Sequence, residues 1–257
     1  EVDGIEDGGM IEYLTRKKKE GRFPVYQTTE RPDRAAQAIL EGRVVLLTDN
    51  SPEALIFPAT LNSLFQTADD YYRNERIVTF LRLIRYVAAF LALALPGLYV
   101  AAATFHPQLL PGNLIRSMAE ARSGVPFPTA AEVLLMELSF ELLREAGLRM
   151  PGPAGNTIGI VGGLIVGQAA VSANLVSPIT VTVAALTALG SFSIPNEELS
   201  EVFRLWKYGI LLLGSCFGIL GVMLGCFLLL MLMAEQESYE IPWLYPYVGG
   251  NLNERAD

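Results

Sequence analysis

The ionisable residues in the apolar half of this chain concentrate on one predicted helix, from Thr129 to Arg149, with prolines on both sides of it. At about 100° per residue, four of them share one sector of about 100°: Glu137, Glu141, Arg144 and Glu145. Carboxylates placed in this way can attract cations or pair with basic partners, so this face is the first candidate for a functional site.

Two interpretations of this acidic face remain open. The helix can lie at a membrane interface or against a cytosolic domain, with the carboxylates in water. Alternatively, it lines a water-filled vestibule in which Glu137 and Glu141 attract cations. A local pair between Glu141 and Arg144 is possible on one helix, and it favours the first interpretation.

The next segment has a four-residue glycine repeat: Gly155, Gly159, Gly163 and Gly167. Such a ridge lets helices approach closely in lipid. The opposite face is apolar in its middle and polar at one end: Val161, Leu164, Ile165, Gln168 and Ser172. This pattern suits a pore constriction that closes by dewetting. The simpler alternative, hydrogen bonds from Gln168 and Ser172 to a neighbouring helix, is favoured by the pattern alone.

Other reactive residue types give no catalytic or metal-binding pattern. Asp69-Asp70 is typical of a solvated helix start rather than a metal pair, and His106, the only histidine, is typical of a helix end rather than a pH sensor. Cys216 and Cys226 are about 15 Å apart on one predicted helix, too far for a disulfide. We predict no enzyme activity, cofactor or metal, and the net charge of −8 argues against nucleic-acid binding.

The elements that must position these residues are apolar helices. The stretch from Tyr208 to Met233 has no charged side chain and predicts one helix that spans a hydrocarbon layer of about 30 Å. It carries a second close-packing ridge, made by Gly214, Gly218, Gly221 and Gly225. An earlier span is predicted from Val87 to Phe105, after an arginine-rich flank that favours the cytoplasmic side.

The fold class is therefore mostly α: a multi-pass helical membrane domain preceded by the end of a small α/β cytosolic domain. The predicted regions are 1–80 (cytosolic), 81–234 (membrane) and 235–257 (juxtamembrane tail). In the first region we predict a helix from Arg34 to Glu41 and a hairpin of strands 43–48 and 54–57. Asn196 is a candidate helix cap. An amphipathic turn at the membrane surface contains Arg204, Trp206 and Lys207, and residues 241–247 form an interfacial aromatic anchor. No signal peptide is visible after Glu1.

Many short strings, in order, resemble the GerA (GerABKA) family, the A subunits of spore germinant receptors, from about Val2 to Tyr247. The strings are Glu30-Arg-Pro-Asp-Arg34, Glu41-Gly-Arg43, Asp70-Tyr-Tyr72, Phe80-Leu-Arg82, Leu95-Pro-Gly-Leu-Tyr-Val100, Phe105-His-Pro107, Gly124-Val-Pro-Phe-Pro128, Met136-Glu-Leu-Ser-Phe-Glu141, Arg144-Glu-Ala-Gly147, Gly167-Gln-Ala-Ala-Val171 and Val176-Ser-Pro178.

The resemblance implies a multi-pass subunit of the inner membrane of bacterial endospores, and a chain that is a fragment of it. It implies partners: identical copies in a homo-oligomeric ring, a transporter-like B subunit that binds the nutrient, a lipoprotein C subunit, and the monovalent cations that the ring releases. A sporulation-stage paralogue has the same motifs, so these motifs do not distinguish a receptor A subunit from that paralogue.

For a ring-forming, nutrient-gated cation channel, the helix from Gly155 to Ser172 is the natural pore wall, with its glycine ridge packed outward against neighbours. Val161, Leu164 and Ile165 would form the gate, Gln168 and Ser172 an adjacent polar stretch, and Glu137 and Glu141 a cation-attracting mouth. The alternative is a non-conducting scaffold that assembles and clusters receptors in the bilayer.

Overall fold

The computed structural model describes residues 23–49, 51–149 and 153–248, and side chains within these ranges except those of 153–158 and 160. The described chain is mostly helical. Its α-helices are α1 Pro32–Leu40, α2 Leu61–Leu64, α3 Glu75–Thr104, α4 Gly112–Ala121, α5 Thr129–Leu148, α6 Pro153–Ser172, α7 Pro178–Phe192, α8 Glu197–Phe217 and α9 Ile219–Glu235. Its short strands are β1 Gln27–Thr29, β2 Val44–Leu47, β3 Ala54–Phe57, β4 Glu237–Ser238 and β5 Ile241–Pro242.

The chain divides into two compact units. One, the α/β unit, gathers the described residues up to Tyr86 together with Ile194–Val202 and those from Leu228 onward. The other, the helical unit, contains Val87–Ser193 and Phe203–Phe227.

The α/β unit contains a three-stranded antiparallel sheet in the order β1-β3-β2. The predicted hairpin is confirmed, with Val45 opposite Ile56, and the predicted helix is confirmed as α1. All four residues of β3 are buried because it is the central strand. Asn196 is confirmed as the cap of α8, since its side-chain oxygen accepts a hydrogen bond from the Leu199 N–H at 2.8 Å.

The segment after α9 belongs to the core of the α/β unit. Trp243 is fully buried, packs with its ring centre 5.0 Å from that of Phe23, and donates from Nε1 to the Pro24 carbonyl at 2.8 Å. The predicted aromatic anchor at a membrane interface is therefore wrong for Trp243. A fully buried indole whose N–H is bonded to protein backbone has no polar edge left for an interface.

Asp70 also departs from the sequence-based expectation. The neighbouring Asp69 is exposed, but Asp70 is buried and both of its oxygens bind the Arg85 guanidinium, at 2.6 and 2.9 Å. The backbone N–H and the hydroxyl of Thr67 donate to the same carboxylate. Asp70 thus links the turn at Ala68–Tyr72 to α3, and we call this set of contacts the Asp70 clasp. The prediction of a solvated helix start is wrong for Asp70.

In the helical unit, the predicted single span from Tyr208 to Met233 is broken in two. Gly218 has a φ of +64°, which favours glycine, and it separates α8 from α9. The helix α9 then folds back along α8: a Cβ at Gly221 would lie 2.0 Å from the Leu213 carbonyl oxygen, and one at Gly225 would lie 2.8 Å from Ile210. Gly214, Gly221 and Gly225 therefore act as close-packing positions, while Gly218 forms the turn.

By length and composition, one described helix, α3, is suited to crossing a membrane. It runs continuously through Pro96. Three shorter apolar helical stretches lie at Val161–Ser172, Pro178–Phe192 and Ile219–Glu235.

Candidate functional site

Helices α5, α6 and α7 of the helical unit surround a cavity of about 1250 Å³. Helix α7 runs beside α5 in the same direction, because Thr180 contacts Glu132 near the start of both helices and Ser191 contacts Arg144 near their ends. Helix α6 returns in the opposite direction against both. The three helices bring most of the residues singled out in the sequence to one place.

Glu132 anchors the start of α7. Its carboxylate is fully buried and accepts hydrogen bonds from the Ser177 N–H at 2.9 Å and from the Thr180 hydroxyl at 3.0 Å. Arg122 donates to the other oxygen at 3.1 Å. A negative group at a helix N-terminus is favourable, so this carboxylate fixes the position of α7 relative to α5.

Glu137 lines the cavity and forms an ion pair with Lys207 of α8. The Lys207 Nζ lies 2.6 Å from Oε2, and both residues are buried, with 1% and 5% exposure. No donor among the described residues reaches the second oxygen, Oε1. A buried carboxylate with a bare oxygen is unfavourable unless a further group satisfies it.

One helical turn further along α5, Glu141 also lines the cavity and binds Arg204 of α8. The order of the two pairs shows that α5 and α8 run antiparallel, and Val133 packs against Leu211 in the same interface. Arg144 points instead toward α7, where it donates to the Ser191 hydroxyl at 3.2 Å and lies 4.8 Å from the centre of the Phe192 ring.

This geometry bears on both interpretations of the acidic face. The solvated face is wrong for Glu137, which is buried. The vestibule remains a prediction. Glu137 and Glu141 do border the cavity, as a vestibule requires, but each forms an ion pair with a basic side chain of α8. The ammonium of Lys207 is buried in this pair, and the membrane-surface position of its helical turn stays a prediction.

Sequence reasoning missed the pairing of α5 with α8. A signal for it existed: Arg204 and Lys207 are three residues apart and the carboxylates four apart, so each set lies on one face of its helix. Finding the match would have required knowing that the two helices are antiparallel neighbours.

At Gly163 and Gly167, the first glycine ridge packs within the chain rather than outward. A Cβ at Gly163 would lie 3.4 Å from Phe140 of α5, and one at Gly167 would lie 3.2 Å from Val181 of α7. Gly159 has nothing within 4 Å, and the surroundings of Gly155 lie outside the described residues. The outward orientation expected for the ridge is therefore corrected for Gly163 and Gly167.

The opposite face of α6 is open. Val161, Leu164 and Ile165 are 45%, 68% and 59% exposed, and Gln168 and Ser172 are exposed as well. Leu164, Gln168 and Ser172 border the cavity, whereas Val161 and Ile165 do not. The structure thus divides the predicted gate residues between two environments.

The arrangement brings ion pairs and apolar side chains together. In the described part of the chain, no cluster of three or more His, Cys, Asp or Glu side chains could hold a metal ion. The described cysteines are separate: Cys216 is exposed on α8, and Cys226 is half-buried on α9.

Comparison with known proteins places this sequence in a family. The family model described as Bacillus/Clostridium GerA spore germination protein matches residues 1–257. The chain is 42% identical over 243 residues to the uncharacterized membrane protein YfkQ of Bacillus subtilis, covering 95% of this chain and 47% of that protein. It is 40% identical over 246 residues to spore germination protein A1 of B. subtilis, covering 96% and 51%. It is 40% identical over 245 residues to spore germination protein GerLA of Bacillus cereus, covering 95% and 50%.

The chain spans about half the length of these relatives. No solved structure matches it.

Proposed function

The chain belongs to the GerA family of Bacillus/Clostridium spore germination proteins, and we propose that it is part of the membrane subunit of a spore germinant receptor. In this proposal, identical subunits form a ring in the inner membrane of the spore, and the ring is a nutrient-gated channel for monovalent cations. A nutrient-binding B subunit and a lipoprotein C subunit complete the receptor.

The observation that carries the proposal is the open face of α6. A channel subunit must present to the lumen a surface that its own chain does not cover, and Val161, Leu164 and Ile165 form such a surface. Small changes in the width of an apolar constriction decide whether water, and with it an ion, can enter. On the glycine face of the same helix, Gly163 contacts α5 and Gly167 contacts α7, whereas the apolar face is not covered by the described residues.

The cavity supplies the second element of the proposal. Glu137 and Glu141 would enrich cations at the mouth of the channel whenever their partners on α8 withdraw. With the pairs closed, the carboxylates are neutralised and the mouth is less attractive to cations. Movement of α8 away from α5 would therefore expose the negative charge of the two carboxylates at the same time as the channel opens.

The closed pairs also favour a second function from a different class. If the two carboxylates are permanently neutralised, the helical unit has no free anionic group in the described part of the cavity wall. The subunit would then act as a non-conducting scaffold that assembles and clusters the receptor.

The test is potassium efflux from liposomes that contain the complete purified subunit. We expect wild-type oligomers to conduct, and Val161→Ala to increase the basal leak because it widens the constriction. Val166→Ala is the matched control: the same side chain is removed from the same helix, but at a half-buried position off the open face. Equal leaks from both variants would exclude Val161 from the gate, and correctly assembled oligomers without any flux would favour the scaffold.

A further inference from the structure

Strand β2 lies at one edge of the sheet in the α/β unit, yet it has the composition of a central strand. Its four residues, Val44-Val-Leu-Leu47, are all apolar. Val44 is 64% exposed and Leu47 is 75% exposed. Because successive side chains of a strand point to opposite faces of the sheet, β2 exposes apolar side chains on both faces.

The opposite edge of the same sheet is different. Strand β1 is Gln27-Thr-Thr29, which is short and polar. Native proteins protect the edges of sheets in this way, because an edge strand has unpaired N–H and C=O groups that can pair with another strand. Strand β2 lacks this protection, and among the described residues it pairs with β3 alone. It therefore has the features of a strand that pairs on both sides.

The exposed apolar surface continues from β2 onto the end of α1. Ile39 and Leu40 are 59% and 82% exposed, and the Arg43 N–H donates to the Ala38 carbonyl at 2.9 Å, which holds the end of α1 beside the start of β2. A cluster of exposed apolar side chains on adjoining elements indicates a macromolecular partner. We call this cluster the β2 patch: Ile39, Leu40, Val44, Leu46 and Leu47.

Next to the β2 patch, two arginines share one carboxylate. The buried Arg34 guanidinium binds two neutral groups, the Tyr71 hydroxyl at 2.6 Å and the Gln27 side-chain oxygen at 3.3 Å. The Tyr71 hydroxyl also lies 2.8 Å from Glu41, and the other oxygen of Glu41 lies 3.3 Å from Nε of Arg43. Within the described ranges, Nε of Arg34 and Nη1 of Arg43 have no acceptor. Cations away from water require a counter-charge, so a partner that meets β2 at Arg43 is expected to bring a carboxylate.

We propose that an extended segment from the part of the complete subunit outside this chain adds to the sheet beside β2. The segment pairs with the free backbone groups of β2, covers the β2 patch with apolar side chains and places an acidic side chain at Arg43. The lengths of the relatives support this source, since the chain covers 47% and 51% of two of them. A segment of the same polypeptide also has a high effective concentration at β2, which favours it over a second copy.

The first experiment is hydrogen exchange of the complete wild-type subunit in detergent. In an antiparallel edge strand about half of the amides point away from the neighbouring strand, and these exchange rapidly. We expect all four amides of Val44–Leu47 to exchange as slowly as those of β3, within about tenfold. Strand β1, the polar edge of the same sheet, is the matched control and should retain rapidly exchanging amides.

The second experiment identifies the segment. A photoreactive p-benzoylphenylalanine replaces Leu47 in the complete subunit, and the cross-linked peptide is sequenced by mass spectrometry. We expect a link within one polypeptide, to a peptide with apolar side chains on both faces of the strand and at least one Asp or Glu. The same replacement at Thr28 of β1 should give no link to that peptide.

Three results would overturn the proposal. Rapid exchange of about half of the β2 amides would show that β2 is a free edge in the complete subunit. Cross-linked dimers would assign the β2 patch to a second copy. A cross-link that forms only after other receptor subunits are added would assign the patch to them. If the subunit with the replaced Leu47 does not fold, hydrogen exchange of the wild type decides the matter.

The proposal does not depend on conduction, because a channel subunit and a scaffold would both keep the added strand. Failure of the proposed function would look different. Liposomes with correctly assembled subunits would show no potassium efflux, while the protection of the β2 amides would be unchanged.

Discussion

Asp70 and Glu137 are both buried carboxylates held by basic side chains, yet their surroundings differ. In the α/β unit, both oxygens of Asp70 are bound by Arg85, and Thr67 donates twice more. In the helical unit, one oxygen of Glu137 is bound by Lys207, and the other is buried without a hydrogen-bond partner among the described residues. Glu137 also lines the cavity.

The difference separates two roles for a buried charge. A carboxylate with every acceptor site occupied holds a turn and a helix together and has little capacity for a new partner. A carboxylate with an open oxygen beside a cavity stays sensitive to what enters the cavity and to the distance of its one partner. Asp70 therefore serves the fold, while Glu137 keeps one acceptor oxygen for a further partner, as the proposed vestibule requires.

The largest expected effect comes from breaking the Glu137–Lys207 pair. Lys207→Met leaves a charged carboxylate in an apolar interior, which should lower the free energy of unfolding by about 3–5 kcal/mol. Thermal unfolding followed by size-exclusion chromatography in detergent measures this. Glu137→Gln combined with Lys207→Met should recover most of the loss.

Arg204→Gln is the matched control for that prediction. Its partner Glu141 is about one-third exposed, so water compensates and the loss should be near 1 kcal/mol. Equal losses in Lys207→Met and Arg204→Gln would contradict the special position of Glu137.

A smaller effect is expected from Asp70→Asn, which weakens the hydrogen bonds to Arg85. Hydrogen bonds to charged groups contribute about 1.5–3 kcal/mol, so we expect a loss of about 2 kcal/mol in urea unfolding. Asp69→Asn, the exposed neighbour, should change stability by less than about 0.5 kcal/mol. If both variants behaved alike, the clasp would have no role in stability.

The same clasp predicts a pH dependence. Burial on its own would raise the pKa of Asp70, but the hydrogen bonds from Arg85 and Thr67 outweigh burial and hold this pKa at about 2. Because the folded-state pKa lies below the ordinary 3.8, the stabilisation is complete above pH 4 and is lost as pH falls toward 2. We expect a contribution of about 1 kcal/mol after solvent screening, measured as the difference between wild type and Asp70→Asn at pH 6 and pH 2.5.

The smallest effects concern the glycines beside the cavity. Gly167→Ala places a methyl group 3.2 Å from Val181 and should destabilise by about 0.5–1 kcal/mol. Gly159→Ala meets nothing within 4 Å and should instead stabilise α6 by about 0.5–1 kcal/mol through helix propensity. Opposite signs in thermal unfolding would support a tight contact at Gly167 and open space at Gly159; the same sign in both would contradict that difference.

Local patterns predicted the local elements well. The hairpin of β2 and β3, helix α1 and the Asn196 cap follow from alternation, turn residues and cap chemistry, which act over a few residues. The acidic face of α5 could also be predicted, because helical periodicity determines it. Its partners could not, since Lys207 lies seventy residues after Glu137 and only the antiparallel packing of α5 and α8 brings them together.

The break at Gly218 shows where composition misleads. Mean hydropathy stays high from Tyr208 to Met233, so hydropathy alone predicts one long membrane-spanning helix there. A single positive φ divides it, and the close contacts of Gly221 and Gly225 with α8 give no signal in hydropathy.

The turn at Gly218 determines on which side the chain emerges after helices α8 and α9. In the proposed membrane placement, a hairpin that turns at Gly218 returns to the side from which it entered, so the stretch after Tyr208 adds no net crossing. Reporters fused near Asn196 and near Gln236 should thus occupy the same compartment, whichever compartment that is.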